Sequence, residues 1–180
     1  ISLPDESYYR EAQFAPIREA HRTHIATLLG LAGLDDGEAR TERIVALEAD
    51  IAATHWDRVA CRDANKTYNL TTNAGLRDLL SNFDWSAWST AASIKGEVLA
   101  EVVVSQPSYL EGLNVLLTND RLTDWQDALR WQIVHGAAAF LSDDFVEENF
   151  DFYGRTLSGT AELRPRWKRA IGFVEGAMGE

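Results

Sequence analysis

The sequence predicts an all-α fold, a multi-helix orthogonal bundle with at most one very short strand at residues 101–104. Three observations lead there. Apolar residues recur at alternating spacings of three and four along most of the chain, the period of one helix face. Helix start signals such as Asp84, Pro107, Thr123, Ser142 and Pro165 stand just ahead of those runs. The one β-like run, EVVV, is too short to imply a real sheet.

Each element follows in order. Phe14, Ile17, His21, His24, Leu28 and Leu31 form one face of a first long helix. A second is expected from about Glu38 to about Arg62, with Ile44, Leu47, Ile51, His55 and Val59 as its stripe. Asp35 and Glu38 resemble a capping box there, although Gly37 weakens the start. Thr71 or Thr72 begins a short helix through Leu79 and Leu80, and Asp84 caps a segment carrying Trp85 and Trp88. Pro107 suits the first turn of a helix with Leu110, Leu113 and Leu117. Thr123 and Gln126 make a further capping box, opening a helix whose stripe is Trp125, Leu129, Ile133, Gly136 and Phe140. Ser142 caps a segment through Phe145 and Phe150, which Gly154 and Gly159 interrupt. The last helix starts at Pro165 and aligns Trp167, Ile171, Val174 and Met178. No repeat, linker or shift in composition divides the chain, so residues 1–180 read as a single all-α domain.

The 180 residues suffice for one domain with a sizeable core, and 46% hydrophobic with 25% charged residues is an ordinary globular composition. A formal net charge of −11 argues against a nucleic-acid or anionic-membrane surface. No run approaches the roughly 20 apolar residues of a membrane span, and no signal peptide is visible within the chain. A start at Ile1 rather than methionine leads to the expectation of a processed product or a piece of a longer protein. Cys61 is the one cysteine, which excludes an internal disulfide.

Candidate chemistry is sparse. His21 and His24, three apart in HRTH, share a helix face and suggest a metal site. A zinc-hydrolase helix instead requires H-E-x-x-H, and here Arg22 follows His21. Half-buried histidines bonded to neighbouring carbonyls or carboxylates are the favoured reading. Glu48 and His55 lie seven apart, about 10 Å along a helix, too far to touch directly. A di-metal carboxylate bundle needs Glu-x-x-His, which no histidine here satisfies. Cys61, near a helix end, reads as an unreactive packing thiol. The basic run RPRWKR (164–169) is better placed against Asp143, Asp144, Glu147, Glu148 and Asp151 than against nucleic acid. Asn65 and Asn69 stand in N-x-T sequons, which a polar turn explains equally well. Trp56, Trp85, Trp88, Trp125, Trp131 and Trp167 suggest a carbohydrate or peptide surface, but their helical spacing favours core packing. No G-x-S-x-G, P-loop or dinucleotide fingerprint occurs.

The order of several stretches is informative beyond this. LPDESYYR (3–10), IVALEADIAATHW (44–56), RDANKTYN (62–69), FDW (83–85) and FYGRTLSGTAELRPRWKRAIGFVEGAMG (152–179) together resemble the N-terminal region of neprilysin-like zinc metallopeptidases, the M13 family, and most of all its bacterial members. The resemblance implies two mostly helical lobes enclosing a cavity. The thermolysin-like lobe carries H-E-x-x-H, a third glutamate ligand and N-A-[YF]-Y, none of which occurs here. The smaller lobe closes over the cavity, and this chain resembles a large but incomplete part of it. Glu48, His55, Trp56, Tyr68, Asn69 and Trp167 would then be lobe-packing residues, and no catalytic, cofactor-binding or metal residue is expected in the chain. Ala170 stands where animal members usually carry a disulfide cysteine, which fits a bacterial enzyme and leaves a cytoplasmic or secreted location open.

The function so implied is that of a cavity-capping, size-restricting lobe of a zinc endopeptidase or oligopeptidase. Zinc would be held outside this chain and peptide substrates met through the full-length enzyme, the catalytic lobe being the partner. A non-catalytic helical binding or scaffold module is the alternative.

Overall fold

The computed structural model describes residues 1–179. A short helix α1 (Ser7–Arg10) leads into α2 (Ala15–Leu31) and α3 (Gly37–Ala52), the first long pair. Short helices α4 (Ala64–Thr67), α5 (Asn73–Leu79) and α6 (Trp85–Ala91) follow, with strand β1 (Leu70–Thr72) between α4 and α5. Strand β2 (Glu101–Val103) precedes α7 (Pro107–Leu116), α8 (Leu122–Ala137) and α9 (Asp143–Asn149). A π-helical segment, Phe150–Leu157, continues α9, and α10 (Arg166–Met178) closes the chain. The all-α class is what the structure has.

The core lies where α2, α3 and α8 meet. Ile25, Leu28 and Leu29 pack against Ile44, Val45, Trp131 and Ala138, with Leu34, Val134 and Phe145 at the edge. Each fully buried aliphatic side chain contributes roughly 1.5–3 kcal/mol relative to exposure, so this three-helix seam carries the fold. On its other flank α2 is covered by α9 and the π-helical segment.

Several elements depart from the expected bounds, each for a physical reason. Helix α3 ends at Ala52, ten residues before Arg62. The start of α7 captures the polar groups that a continuing helix would use: Gln106 Oε1 accepts from the Trp56 N–H at 2.8 Å, and Ser108 Oγ donates to the Thr54 carbonyl at 3.2 Å. His55 is therefore off the helix, and Val59 is exposed. The Asp35–Glu38 box does not form; Asp36 sits at φ 58° with no side-chain cap, and the Asp35 carbonyl accepts from Arg40 Nε at 2.7 Å. Helix α8 starts at Leu122, out of a 3-10 turn at Asn119–Arg121, which leaves Thr123 inside it and unable to cap. Ser142 occupies the N-cap position of α9 without a capping bond.

Gly154 does not break the chain into a loop. The helix takes the π form through it, and the lack of a Cβ lets the Phe150 ring lie against its backbone. Thr72 and Asp84 do cap as expected, accepting from Gly75 N, and from Ser86 N and Ala87 N. EVVV does find a partner: β2 pairs antiparallel with β1, Leu70 opposite Val103 and Thr72 opposite Glu101. That pairing joins residues about thirty apart, which no local pattern announces.

Helix α8 buries a different face from the expected one. Asp127, Trp131 and Ala138 turn inward, whereas the expected stripe members Leu129, Ile133 and Phe140 are 60%, 72% and 65% exposed. Two partners fix that rotation: the core receives the Trp131 indole, and Arg40 and Arg43 of α3 receive Asp127. Helix α10 buries none of its residues, and its contact with the body includes Phe173 against Phe140 at 4.3 Å.

Candidate functional site

The two histidines of HRTH sit on α2 where Phe152 and Trp131 close over them. His24 stacks on Phe152 at 4.8 Å and His21 on the same ring at 5.3 Å, while the Trp131 edge faces both. His24 Nδ1 meets Glu148 Oε1 at 2.9 Å. With Glu148 accepting, His24 is the Nδ1–H tautomer and its bare Nε2 points into the aromatic packing without a partner. His21 Nε2 is equally unpartnered, as is Nδ1 of His135, which stacks on Trp131 at 5.2 Å and tilts against Tyr153 at 5.0 Å. Burial holds all three neutral, lowering His21 to about 4, His24 to about 3 and His135 below its usual value. The expected carboxylate partner therefore exists for His24, but both α2 histidines are fully rather than half buried. Phe152 and Trp131 enclose their rings, and Glu148 already engages one nitrogen of His24. Among the described residues no group of three or more His, Cys, Asp or Glu is spaced to hold a metal ion.

Glu48 of α3 anchors a second buried network. Its Oε1 accepts from Ser2 Oγ, and its Oε2 accepts from the Tyr9 hydroxyl at 2.8 Å. Tyr9 in turn accepts from the backbone N–H of Ser2 and of Leu3, each at 3.1 Å. Trp131 Nε1 donates to Ser2 Oγ at 2.8 Å, and the Tyr153 hydroxyl to the Ser2 carbonyl at 3.2 Å. The chain start is thereby stitched to α3, α8 and the π-helical segment. Burial raises the Glu48 carboxyl, a push that the Ser2 and Tyr9 hydrogen bonds oppose. His55 stands apart from Glu48 and packs on Tyr109 at 4.9 Å.

One face of this network opens into a cleft of about 620 Å³. Leu47, Glu48 and Ile51 form one wall, and Trp125, Leu129 and Gln132 of α8 another. Trp85, Trp88 and Phe83 close a third side, ring to ring at 5.0–6.2 Å, and Tyr109 and Leu113 of α7 complete it. Trp85 Nε1 donates to the Leu80 carbonyl at 3.1 Å and Trp125 Nε1 to that of Leu116 at 2.9 Å. With their N–H groups tied to backbone, the indoles present apolar surface to the cleft. Of the six tryptophans assigned to core packing, only Trp131 is fully buried, and Trp88 and Trp167 are exposed. The signal that could have found the cleft was the Trp125–Leu129 side of α8, whose apolar character belongs to this wall and not to the three-helix seam.

The remaining candidates are placed as follows. Cys61 is exposed in a 3-10 turn, so it is not a packing thiol. The basic run does not pair with the acidic run among the described residues: Glu148 meets His24, Asp151 meets Arg155, and Lys168 lies 5.3 Å over Trp167. Arg166 and Arg169 share only a small cavity with Asp143. Asn65 lies in the turn capped by Asp63, and Asn69 Nδ2 donates to the carbonyls of Lys66 and Val104 at 2.7 and 3.0 Å, tying the turn to the end of β2. Tyr68 is exposed.

Known proteins share this arrangement. The model of peptidase family M13, in its N-terminal part, matches residues 1–180. This chain belongs to peptidase family M13. The M13 chain is 27% identical over 166 residues to Neprilysin-2 of Drosophila melanogaster, covering 89% of itself and 21% of that protein. To human endothelin-converting enzyme 1 it is 23% identical, covering 99% of itself and 24% of that protein. Its fold superposes on the open state of the Mycobacterium tuberculosis zinc metalloprotease Zmp1 with a TM-score of 0.94 and 43% identity, over 99% of this chain and 28% of that one. PepO from Lactobacillus rhamnosis, at 23% identity and a TM-score of 0.76, shares the fold. The M13 chain thus spans roughly a quarter of the length of these relatives, and the region it matches is the family's N-terminal one. Among the described residues no helix is long and apolar enough to cross a membrane.

Proposed function

We propose that this chain is a large part of the helical lobe that caps the substrate cavity of a zinc-dependent metalloendopeptidase or oligopeptidase and restricts the size of its substrates. One observation carries the reading: the chain matches Zmp1, a zinc metalloprotease, at a TM-score of 0.94 over 99% of its own length but only 28% of that protein's. Zinc chemistry, in which the metal activates a water for attack on the peptide bond, belongs to residues outside this chain. The donors here do not fit the metal, since His21 and His24 are enclosed by aromatic rings and Glu148 already engages His24. This chain's own residues supply a rigid wall: Asp127 clamps α3 to α8, and the Glu48 network clamps the chain start to both.

The test is peptide hydrolysis by the full-length protein across a series of substrates of increasing length. Chelator-sensitive cleavage that falls away for long or folded substrates supports the reading. Chelator-insensitive cleavage, none at all, or no dependence on length would overturn it.

A further inference from the structure

The basic run that lacks its expected acidic partners borders a cavity of about 470 Å³ between α9, the π-helical segment and α10. Phe150, Tyr153, Leu163 and Phe173 give this cavity an apolar wall. Arg164, Lys168 and Arg169 give it positive charge, and no Asp or Glu among the described residues lines it. These three cations make no ion pair among the described residues. Elsewhere Arg40, Arg43, Arg121 and Arg130 each meet a carboxylate. Lys168 Nζ instead lies 5.3 Å over the Trp167 ring. Asp143 shares a separate, smaller cavity with Arg166 and Arg169 and pairs with neither.

Arg169 is the decisive residue. Its side chain is partly buried, and its Nε–H is fully enclosed with no acceptor among the described residues. A buried donor on a charged group is costly to leave unmatched, and an anion relieves that cost. The planar guanidinium fits a carboxylate with two parallel hydrogen bonds. Lys168 and Arg169 also lie in the first turn of α10, where the helix dipole disfavours positive charge, so an anion beside them is favoured twice. The volume lies in the range of small-molecule sites, roughly 300–1,000 Å³.

We propose that this cavity binds a small amphiphilic carboxylate, its aryl or alkyl body against Phe150, Tyr153 and Phe173 and its anionic head on Arg169, with Arg164 and Lys168 beside it. Charge selects that class: an organic cation would face three like charges, and a neutral body would leave the Arg169 Nε–H unmatched. The inference goes beyond the peptidase reading and fails separately from it, because its readout is anion binding and not hydrolysis.

Calorimetric titration of the full-length protein with 3-phenylpropanoate tests it, with 2-phenylethanol as the neutral counterpart and phenethylammonium as the cation. The carboxylate is expected to bind at least tenfold tighter than the alcohol, and the ammonium not to bind. In Arg169→Gln the tenfold preference should vanish. Arg164→Glu, at an exposed position, places a carboxylate at the cavity and should also abolish the preference, which keeps the proposal testable if Arg169→Gln does not fold. Carboxylate binding at a zinc ion elsewhere in the protein would survive both substitutions. Equal binding of carboxylate and alcohol, no binding of the carboxylate, or a preference that survives in either variant would overturn the proposal.

Discussion

His24 shows how much one residue depends on a distant partner. Its place on an apolar helix face is written locally, but Glu148, the carboxylate that fixes its tautomer, lies 124 positions away. The consequence is a dependence of stability on pH. His21 and His24 have folded values of about 4 and about 3 against an ordinary 6.5, so below pH 6.5 the unfolded chain binds protons that the folded chain refuses. Their contribution is complete above pH 6.5 and is lost as pH falls toward the folded values. At about 1.4 kcal/mol per unit, and with the unfolded imidazoles already half protonated at pH 6.5, the two together cost about 3 kcal/mol between pH 6.5 and 5. Glu48 and Glu148, both raised by burial, have the opposite sign and trim that fall. Urea unfolding at the two pH values should show the loss, and His24→Gln should reduce it by about half; a flat profile would mean the rings are not buried neutral. Asp127 is the second decisive residue. Burial pushes its carboxyl up, but hydrogen bonds from Arg43 and Arg130 and the Arg40 charge outweigh this and hold it below the usual range. Asp127→Asn should cost about 3 kcal/mol in unfolding free energy, the low end for a broken buried pair because the guanidiniums keep some solvent.

At the scale of elements, helix existence was legible and helix faces were not. The period of three and four placed α2, α3, α7, α8 and α10, and Thr72, Asp84 and Pro107 started their helices as read. The α8 stripe was read from Trp125, Leu129, Ile133, Gly136 and Phe140, yet one indole and one carboxylate set the rotation, since Trp131 is the largest fully buried side chain and Asp127 has three partners. The Asp35–Glu38 and Thr123–Gln126 boxes failed because each helix begins where tertiary contacts place it, not where a side chain is able to cap it. Glycines separate the two influences cleanly. A Cβ added at Gly30 in α2 would meet nothing within 4 Å, so Gly30→Ala should stabilise by about 0.5–1 kcal/mol through helix propensity. Gly112 in α7 faces Thr54, whose Cγ2 an added Cβ would overlap, so Gly112→Ala should destabilise by about 1–2 kcal/mol despite the same propensity gain. Thermal or urea unfolding of the two variants should give opposite signs; the same sign would show that α7 and the end of α3 are not in close contact.

For the whole molecule, the order of weakly specific stretches carried the family and the helical period carried the class of fold, and the family match and the Zmp1 superposition agree with both. On the proposed function, the 180-residue chain alone should hydrolyse no peptide in a chelator-sensitive way. A fluorogenic peptide assay of the purified chain with and without added zinc checks this, and chelator-sensitive turnover would move the catalytic site into the chain. By itself the sequence determined the all-α class, the helix-forming segments, the acidic charge and the lack of any H-E-x-x-H, because these depend on residue type and on spacing within a few turns. Only the tertiary structure decided that α3 stops at Ala52, that EVVV pairs with Leu70–Thr72, and that most of the tryptophans serve surfaces and a cleft in place of the core. Those outcomes rest on contacts between residues tens of positions apart, and the free energy of such contacts is set by which faces meet, a quantity no local window of sequence contains.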